Sequence, residues 1–219
     1  MSVLDTVRSH AHLKARCTLL ATVVFAAGYL PLGRFAFMPI HTLPTALDAA
    51  IPFQPGWIII YHSMYPLLLS AAWLSADRAA VTRYTRALLA QMLICFIVFA
   101  FFPVNGPRPH ELGDFALYRL AAWLDTPLNS FPSLHASMVT TAVAHLWRPL
   151  TGAKRGVLLS GVLAWSILVL ASTLLTKQHW VVDIACGVIL GLACYWWAGP
   201  WRAAHNSRNS AASAESKLH

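Results

Sequence analysis

Charged side chains are scarce in this 219-residue sequence: they make up 11% of it, and only eight are acidic. An average soluble domain carries about 25% charged residues, so an ordinary water-facing surface is excluded. The few scattered acids form no carboxylate cluster suited to Mg²⁺. Four cysteines (Cys17, Cys95, Cys186 and Cys194) sit inside apolar blocks without CxxC spacing, which argues against both a disulfide framework and a zinc site. No internal repeat is visible, and the length allows one compact bundle without a second domain. Sixteen Lys and Arg give a net charge of +8 but no single basic patch. They fall in short clusters between apolar blocks, which argues against nucleic acid and for a bilayer.

Hydrophobic residues, at 58%, are what the chain has in abundance. Blocks of about 17 to 22 nearly uncharged residues are the length that crosses a bilayer as helix. Six spans are expected, over residues 15–32, 56–76, 86–102, 131–147, 156–175 and 179–198. Each is too long and too apolar for a strand. The expected fold is therefore all-α: a polytopic bundle of six transmembrane helices within residues 1–201. With the amino terminus in the cytoplasm, four inner segments each hold three basic residues. The outer segments hold only Arg34, Arg108, Arg119 and Lys177. That bias predicts a multi-pass protein of the cytoplasmic (inner) membrane with both termini inside. Aromatic residues near span ends, among them Trp57, Tyr61, Trp180 and Trp201, suit an interfacial belt. A cleaved leader is disfavoured because the first apolar run continues through Leu30 and Leu32.

Outside the spans, residues 202–219 are polar and expected to form a disordered cytoplasmic tail. The outer loop over 34–55 is Pro-rich and expected to be partly re-entrant or interfacial. The outer loop over 104–130 either holds a short amphipathic helix around residues 115–124 or is an ordinary connection. Gly152, Gly161, Gly187 and Gly191 are expected to permit close helix packing.

Polar residues inside spans are expensive and need a reason. His179 and Asp183 stand four apart at the outer start of the sixth span, so a helix puts them on one face within reach of each other. A carboxylate behind an imidazole fixes its tautomer and supports its positive form, as a nucleophilic or basic histidine requires. The run Asn129-Ser130-Phe131-Pro132-Ser133-Leu134-His135 opens the fourth span. Ser130 can cap that helix and Pro132 suits its first turn. The helix's free N–H groups can receive a phosphate, with Ser133 adding a hydroxyl and His135 an acidic proton. Just past the third span, Arg108 offers a planar charged fork for a phosphate. All three clusters fall on the outer face. His62 and His145 read as packing and interhelical hydrogen-bonding residues, while His41 and His110 lie in loops without an evident partner.

Arg108-Pro109, Pro132-Ser133-Leu134-His135 and Ser172 through His179 to Asp183 resemble, in order and spacing, the three motifs of the phosphatidic acid phosphatase type 2/haloperoxidase superfamily. The resemblance covers about residues 100–190. Phe101 stands where that family has a lysine, Thr173 where it has an arginine, and Leu134 where it has a glycine. Lys177 is the substitute the resemblance suggests for the missing cations. The resemblance implies a catalytic set of His179, Asp183 and His135. It also implies a phosphate-binding set of Arg108, Ser133 and Lys177, with no metal and no cofactor. The implied partners are a lipid phosphate substrate and the surrounding membrane lipids. The implied activity is hydrolysis of a lipid phosphate or diphosphate through a phosphohistidine. Two alternatives stay open: head-group transfer, as in the inositol phosphorylceramide synthase-like branch, and a non-catalytic transporter or scaffold.

Overall fold

The computed structural model describes residues 3–109, 111–125, 127–147 and 155–199. Every regular element in them is helical. In chain order these are α1 (Val3–Arg8), α2 (Ala11–Arg34), α3 (Ala46–Ala50), a 3₁₀ turn (Pro55–Trp57), α4 (Ile58–His62), α5 (Met64–Trp73), α6 (Arg78–Phe101), α7 (Ala116–Leu124), α8 (Leu134–Leu146), α9 (Arg155–Leu175) and α10 (Val181–Trp197). Gly152, His110 and the expected tail over 202–219 lie outside the described residues.

Three of these helices, α2, α6 and α9, are long and apolar enough to cross a membrane. The other three expected spans are represented by shorter helices. The second is divided at Ser63 into α4 and α5. The sixth is the 17 residues of α10, and the fourth is the 13 residues of α8. At 1.5 Å per residue, α8 is only about 20 Å long, against a hydrocarbon core of about 30 Å. It begins at Leu134 because Ser133, not Ser130, is its cap: Ser133 Oγ accepts the Ala136 N–H at 3.1 Å. Ser130 and Pro132 stay outside the helix, and the Ser130 side chain is left for another partner.

The core lies between α2, α5, α6 and α8, around Tyr29, Met64, Leu67, Met92 and Val139. The closest helix approach joins α8 to α10. A Cβ added to Gly187 would stand on the Ser133 carbonyl, and one on Gly191 on the Ser137 carbonyl. The expectation of close packing holds for these two glycines. It fails for Gly161, which has nothing within 4 Å of a would-be Cβ. Further along this contact, the Thr141 hydroxyl reaches the Gly191 carbonyl at 3.1 Å. At the end of the bundle away from His179, His145 lies 2.8 Å from Ser75 Oγ and 3.4 Å from Tyr195 Oη, the interhelical role expected of it.

At the His179 end the connections are tied to one another. Val104 forms parallel bridges with His41 on one side and Asn129 on the other. The His41 ring stacks on Phe102 at 4.3 Å. Gln54 N–H donates to the Leu175 carbonyl at 2.8 Å, and Trp180 Nε1 to the Asn105 carbonyl at 2.9 Å. The segment around 115–124 is helical, as one of the two expectations had it. Tyr118 and Ala121 pack with Ile58 and Tyr61, while Leu117, Leu120 and Trp123 face outward.

The glycine geometry gives a graded expectation. Gly191→Ala presses its Cβ onto backbone and should cost about 1–3 kcal/mol. Gly161→Ala should stay within about 0.5 kcal/mol of the unaltered chain. Unfolding of the purified variants in detergent measures both.

Candidate active site

The site begins at the turn between α9 and α10. Lys177 N–H donates to the Leu174 carbonyl at 3.1 Å and Gln178 N–H to the Thr173 carbonyl at 2.9 Å. That pattern closes a helix with a left-handed residue, here Lys177 at φ 52°. Glycine is usual at such a place, and a side chain there carries a cost of about 1–2 kcal/mol. The sharp turn places His179 just before Trp180, the cap residue of α10, so His179 precedes the helix that it was expected to open. Asp183 Oδ2 accepts the Trp180 N–H at 2.8 Å, so the carboxylate also caps the helix and meets its positive end.

His179 Nδ1 lies 3.0 Å from the Ser130 carbonyl oxygen and 3.5 Å from Asp183 Oδ2. Both neighbours only accept, so Nδ1 carries the ring hydrogen and Nε2 keeps its lone pair. The nearer partner is the Ser130 carbonyl. At 3.5 Å the carboxylate acts more by charge than by a hydrogen bond. Ser130 also donates its hydroxyl to Asp183 Oδ2, so one serine ties the acid to the imidazole. Its use there, in place of capping, was hidden in the sequence.

The His135 ring lies 5.6 Å from that of His179, centre to centre. Its Nδ1 is 3.3 Å from Tyr61 Oη, and Tyr61 donates to Asp125 Oδ2 at 3.2 Å. Asp125 also accepts from Tyr29 Oη at 2.8 Å. Arg108 Nη2 donates to its carbonyl at 3.0 Å and stands 3.4 Å from its carboxylate. Gly106, two residues earlier, faces the Gln178 carbonyl so closely that a Cβ would collide with it.

Among the described residues, several buried polar atoms here lack a partner: Arg108 Nε and Nη1, His135 Nε2, Gln178 Oε1 and Asp183 Oδ1. An unmet buried group costs about 1–3 kcal/mol, so these atoms are places where a polar ligand can be received. The guanidinium supplies N–H donors for an anion.

Ser133 Oγ, fully buried, spends a lone pair on Ala136 N–H, which leaves its hydrogen for an anion. Lys177 is placed differently: its Nζ donates to the Asp48 carbonyl at 2.9 Å. Asp48 Oδ1 accepts the Val181 N–H at 2.9 Å, and Oδ2 accepts from Thr45. Burial opposes ionisation of Asp48, but hydrogen bonds from Thr45 and Val181 and the Lys177 charge prevail, holding its carboxyl below the ordinary value. Burial pushes the Tyr118 phenol up, and its hydroxyl donates to the Thr176 carbonyl at 2.9 Å.

His179, Asp183, His135, Ser133 and Arg108 thus belong to one continuous network of contacts, with Lys177 at its edge on Asp48. Phe101 is two-thirds exposed at the end of α6, and Thr173 is buried with its hydroxyl on the Leu170 carbonyl. Neither cation missing from those two positions is replaced there. Sequence reasoning missed Asp125, Tyr61, Tyr29 and Asp48. The available signal was acid scarcity itself: Asp48 and Asp125 are two of only six aspartates. His62 stacks on Tyr65 at 6.0 Å, consistent with packing.

Among family models, that of the PAP2 superfamily matches residues 80–207, from the start of α6 to beyond the end of α10. No curated protein and no solved structure matches the chain.

Asp48 anchors the 45–55 segment to the turn between α9 and α10. Asp48→Ala should lower stability by about 1–3 kcal/mol, and Asp48→Asn, which keeps an acceptor, by less. Because the folded-state carboxyl is held low, its contribution is full above the unfolded value of about 4 and fades as pH falls through the folded one. Unfolding measured at stepped pH should show the gap between Asp48→Ala and the unaltered chain closing below about pH 4.

Proposed function

The chain belongs to the PAP2 superfamily, and from that premise we propose that it is an integral membrane lipid phosphatase working through a phosphohistidine. The observation that carries this reading is the pairing of His179, its Nδ1 held by the Ser130 carbonyl with Asp183 behind, with a second imidazole 5.6 Å away. His179 Nε2 attacks phosphorus as the bond to the leaving oxygen breaks. His135 protonates that oxygen, then takes a proton from water as water attacks the phosphohistidine and releases His179. Arg108, Ser133 and the first-turn N–H groups of α8 hold the non-bridging oxygens, where charge accumulates. Lys177 joins them by leaving the Asp48 carbonyl.

Six spans in the orientation set by the basic residues put this site at the outer face of the cytoplasmic membrane. The shorter helices complete their crossings with irregular backbone, which is tolerated at depth when buried in protein. The acyl chain approaches from the side while the head group meets the site. Guanidinium, hydroxyl and helix N–H groups supply the charge stabilisation that a metal would otherwise provide. A second reading, transfer of a phosphorylated head group to another lipid, is favoured by Leu134 and by the Leu175-Thr176-Lys177-Gln178-His179 sequence, which resembles that branch.

His179→Ala and Asp183→Ala should abolish phosphate release from a short-chain phosphatidate while leaving membrane insertion intact; normal turnover in purified His179→Ala ends the proposal. Release of inorganic phosphate without an acceptor alcohol selects hydrolysis over transfer. EDTA should leave the rate unchanged, and inhibition reversed by Mg²⁺ would contradict the metal-free scheme. Arg108→Gln should cost about 10²-fold in kcat/KM, and Lys177→Gln clearly less, because its ammonium already has a partner.

A further inference from the structure

Asp125 stands outside the expected catalytic set, yet three elements converge on it. Tyr29 from α2 and Tyr61 from α4 donate to its two carboxylate oxygens, and Arg108 donates to its carbonyl. A carboxylate can only accept, so the single Tyr61 hydrogen goes to Asp125. Tyr61 oxygen is then left to accept from His135 Nδ1, at 3.3 Å. This assigns the ring hydrogen of neutral His135 to Nδ1 and leaves Nε2 to receive or deliver a proton. That Nε2 is buried and has no partner among the described residues.

We propose that Tyr61 and Asp125 are positioning residues for His135, forming a relay His135–Tyr61–Asp125 that holds its Nε2 toward the reacting phosphate and supports its imidazolium. The inference rests on the phosphatase reading and deepens it. His135 is 4% exposed, and a cation formed in so buried a place needs a counter-charge. Asp183 supports the other histidine and is itself engaged by Trp180 and Ser130. Asp125 supplies the second negative charge through one hydroxyl. The chemistry balances without net transfer along the relay. His135 enters as the imidazolium, with hydrogen on both ring nitrogens; Nε2 gives its proton to the leaving oxygen as the P–O bond breaks, which leaves the neutral Nδ1–H form, and later takes one from water. The Nδ1–H and Tyr61 O–H hydrogens stay with their own atoms.

The same carboxylate is 3.4 Å from the Arg108 guanidinium, so Asp125 ties the phosphate clamp to the proton donor. Tyr61→Phe cuts the relay and leaves the Arg108 and Tyr29 contacts in place, which makes it the cleaner variant.

The test compares two substrates in the first turnover of purified protein: a short-chain phosphatidate, whose alkoxide must be protonated to leave, and p-nitrophenyl phosphate, whose phenolate leaves unaided. Tyr61→Phe should lower the first-turnover rate on phosphatidate by about tenfold, a fraction of the 10²–10⁴ that general acid catalysis supplies. KM should stay unchanged within about twofold, and the rate on the aryl ester should be nearly that of the unaltered chain. Asp125→Asn should reproduce the leaving-group dependence and also raise KM, because Arg108 loses its anchor. Equal loss on both substrates, or no loss on either, overturns the relay while the phosphatase reading stands. Absence of turnover by the unaltered chain on both substrates overturns that reading and the relay with it.

Discussion

The arrangement depends on how closely α8 and α10 cross. Gly187 and Gly191 remove the side chains that would keep the helices apart, and the Ser133 and Ser137 carbonyls occupy that space. At this separation Ser133 N–H reaches the Asp183 carbonyl at 3.0 Å, so the two helix starts are joined through backbone. His135 and His179, each within a few residues of that bond, become neighbours as a consequence. Small residues at a helix crossing are a common route to tight packing in a bilayer, where burying apolar surface gives little drive. Here the same contact sets the spacing between two imidazoles.

Two carboxylates divide the electrostatic work around that crossing. Asp183 is fully buried, satisfies the start of α10 and faces His179. Asp125 lies in a loop, a fifth exposed at its side chain, and collects two phenols and a guanidinium. A buried acid is tolerated only when its lone pairs are met, and each is met largely by groups that also shape the site. Asp48 is a third case, holding the turn before α10 through Lys177 and Val181.

The all-helical frame and three helices of membrane length were legible in the sequence, because long apolar blocks are a long-range composition signal. The boundaries of α9 fell within one residue of those expected and those of α2 within four, while α6 starts eight residues before its expected span. The division of the second span and the start of α8 were not legible, since hydropathy is indifferent to where Ser63 breaks a helix or to which serine caps α8. In the site, the nearness of His179 and Asp183 was legible from their spacing in sequence, although His179 precedes α10 instead of opening it. That of Asp125 and Tyr61 was not: 64 positions separate them, and only the packing of α7 on α4 brings them together. Ser130 was expected to cap α8, a role that Ser133 takes, because a serine before an apolar run reads as a cap, whatever carboxylate waits across the bundle. Lys177 was expected to face a phosphate as the substitute for the cations missing from the resemblance, and no pattern in the sequence announces a carbonyl 129 positions away.

The bridges that join His41, Val104 and Asn129 have a consequence for how the molecule can be divided. The candidate site and its supports draw on Asp48, Tyr61, Arg108, Asp125, Ser130, His135 and His179, and the bridged residues Val104 and Asn129 lie among them in the chain. A fragment that ends before the turn at Lys177 keeps the contacts among Tyr61, Arg108, Asp125 and His135 but lacks His179 and Asp183. It would display an unmet Ser130 hydroxyl and an unmet Asp48 carboxylate oxygen, so the two imidazoles face each other only once the last helix is in place.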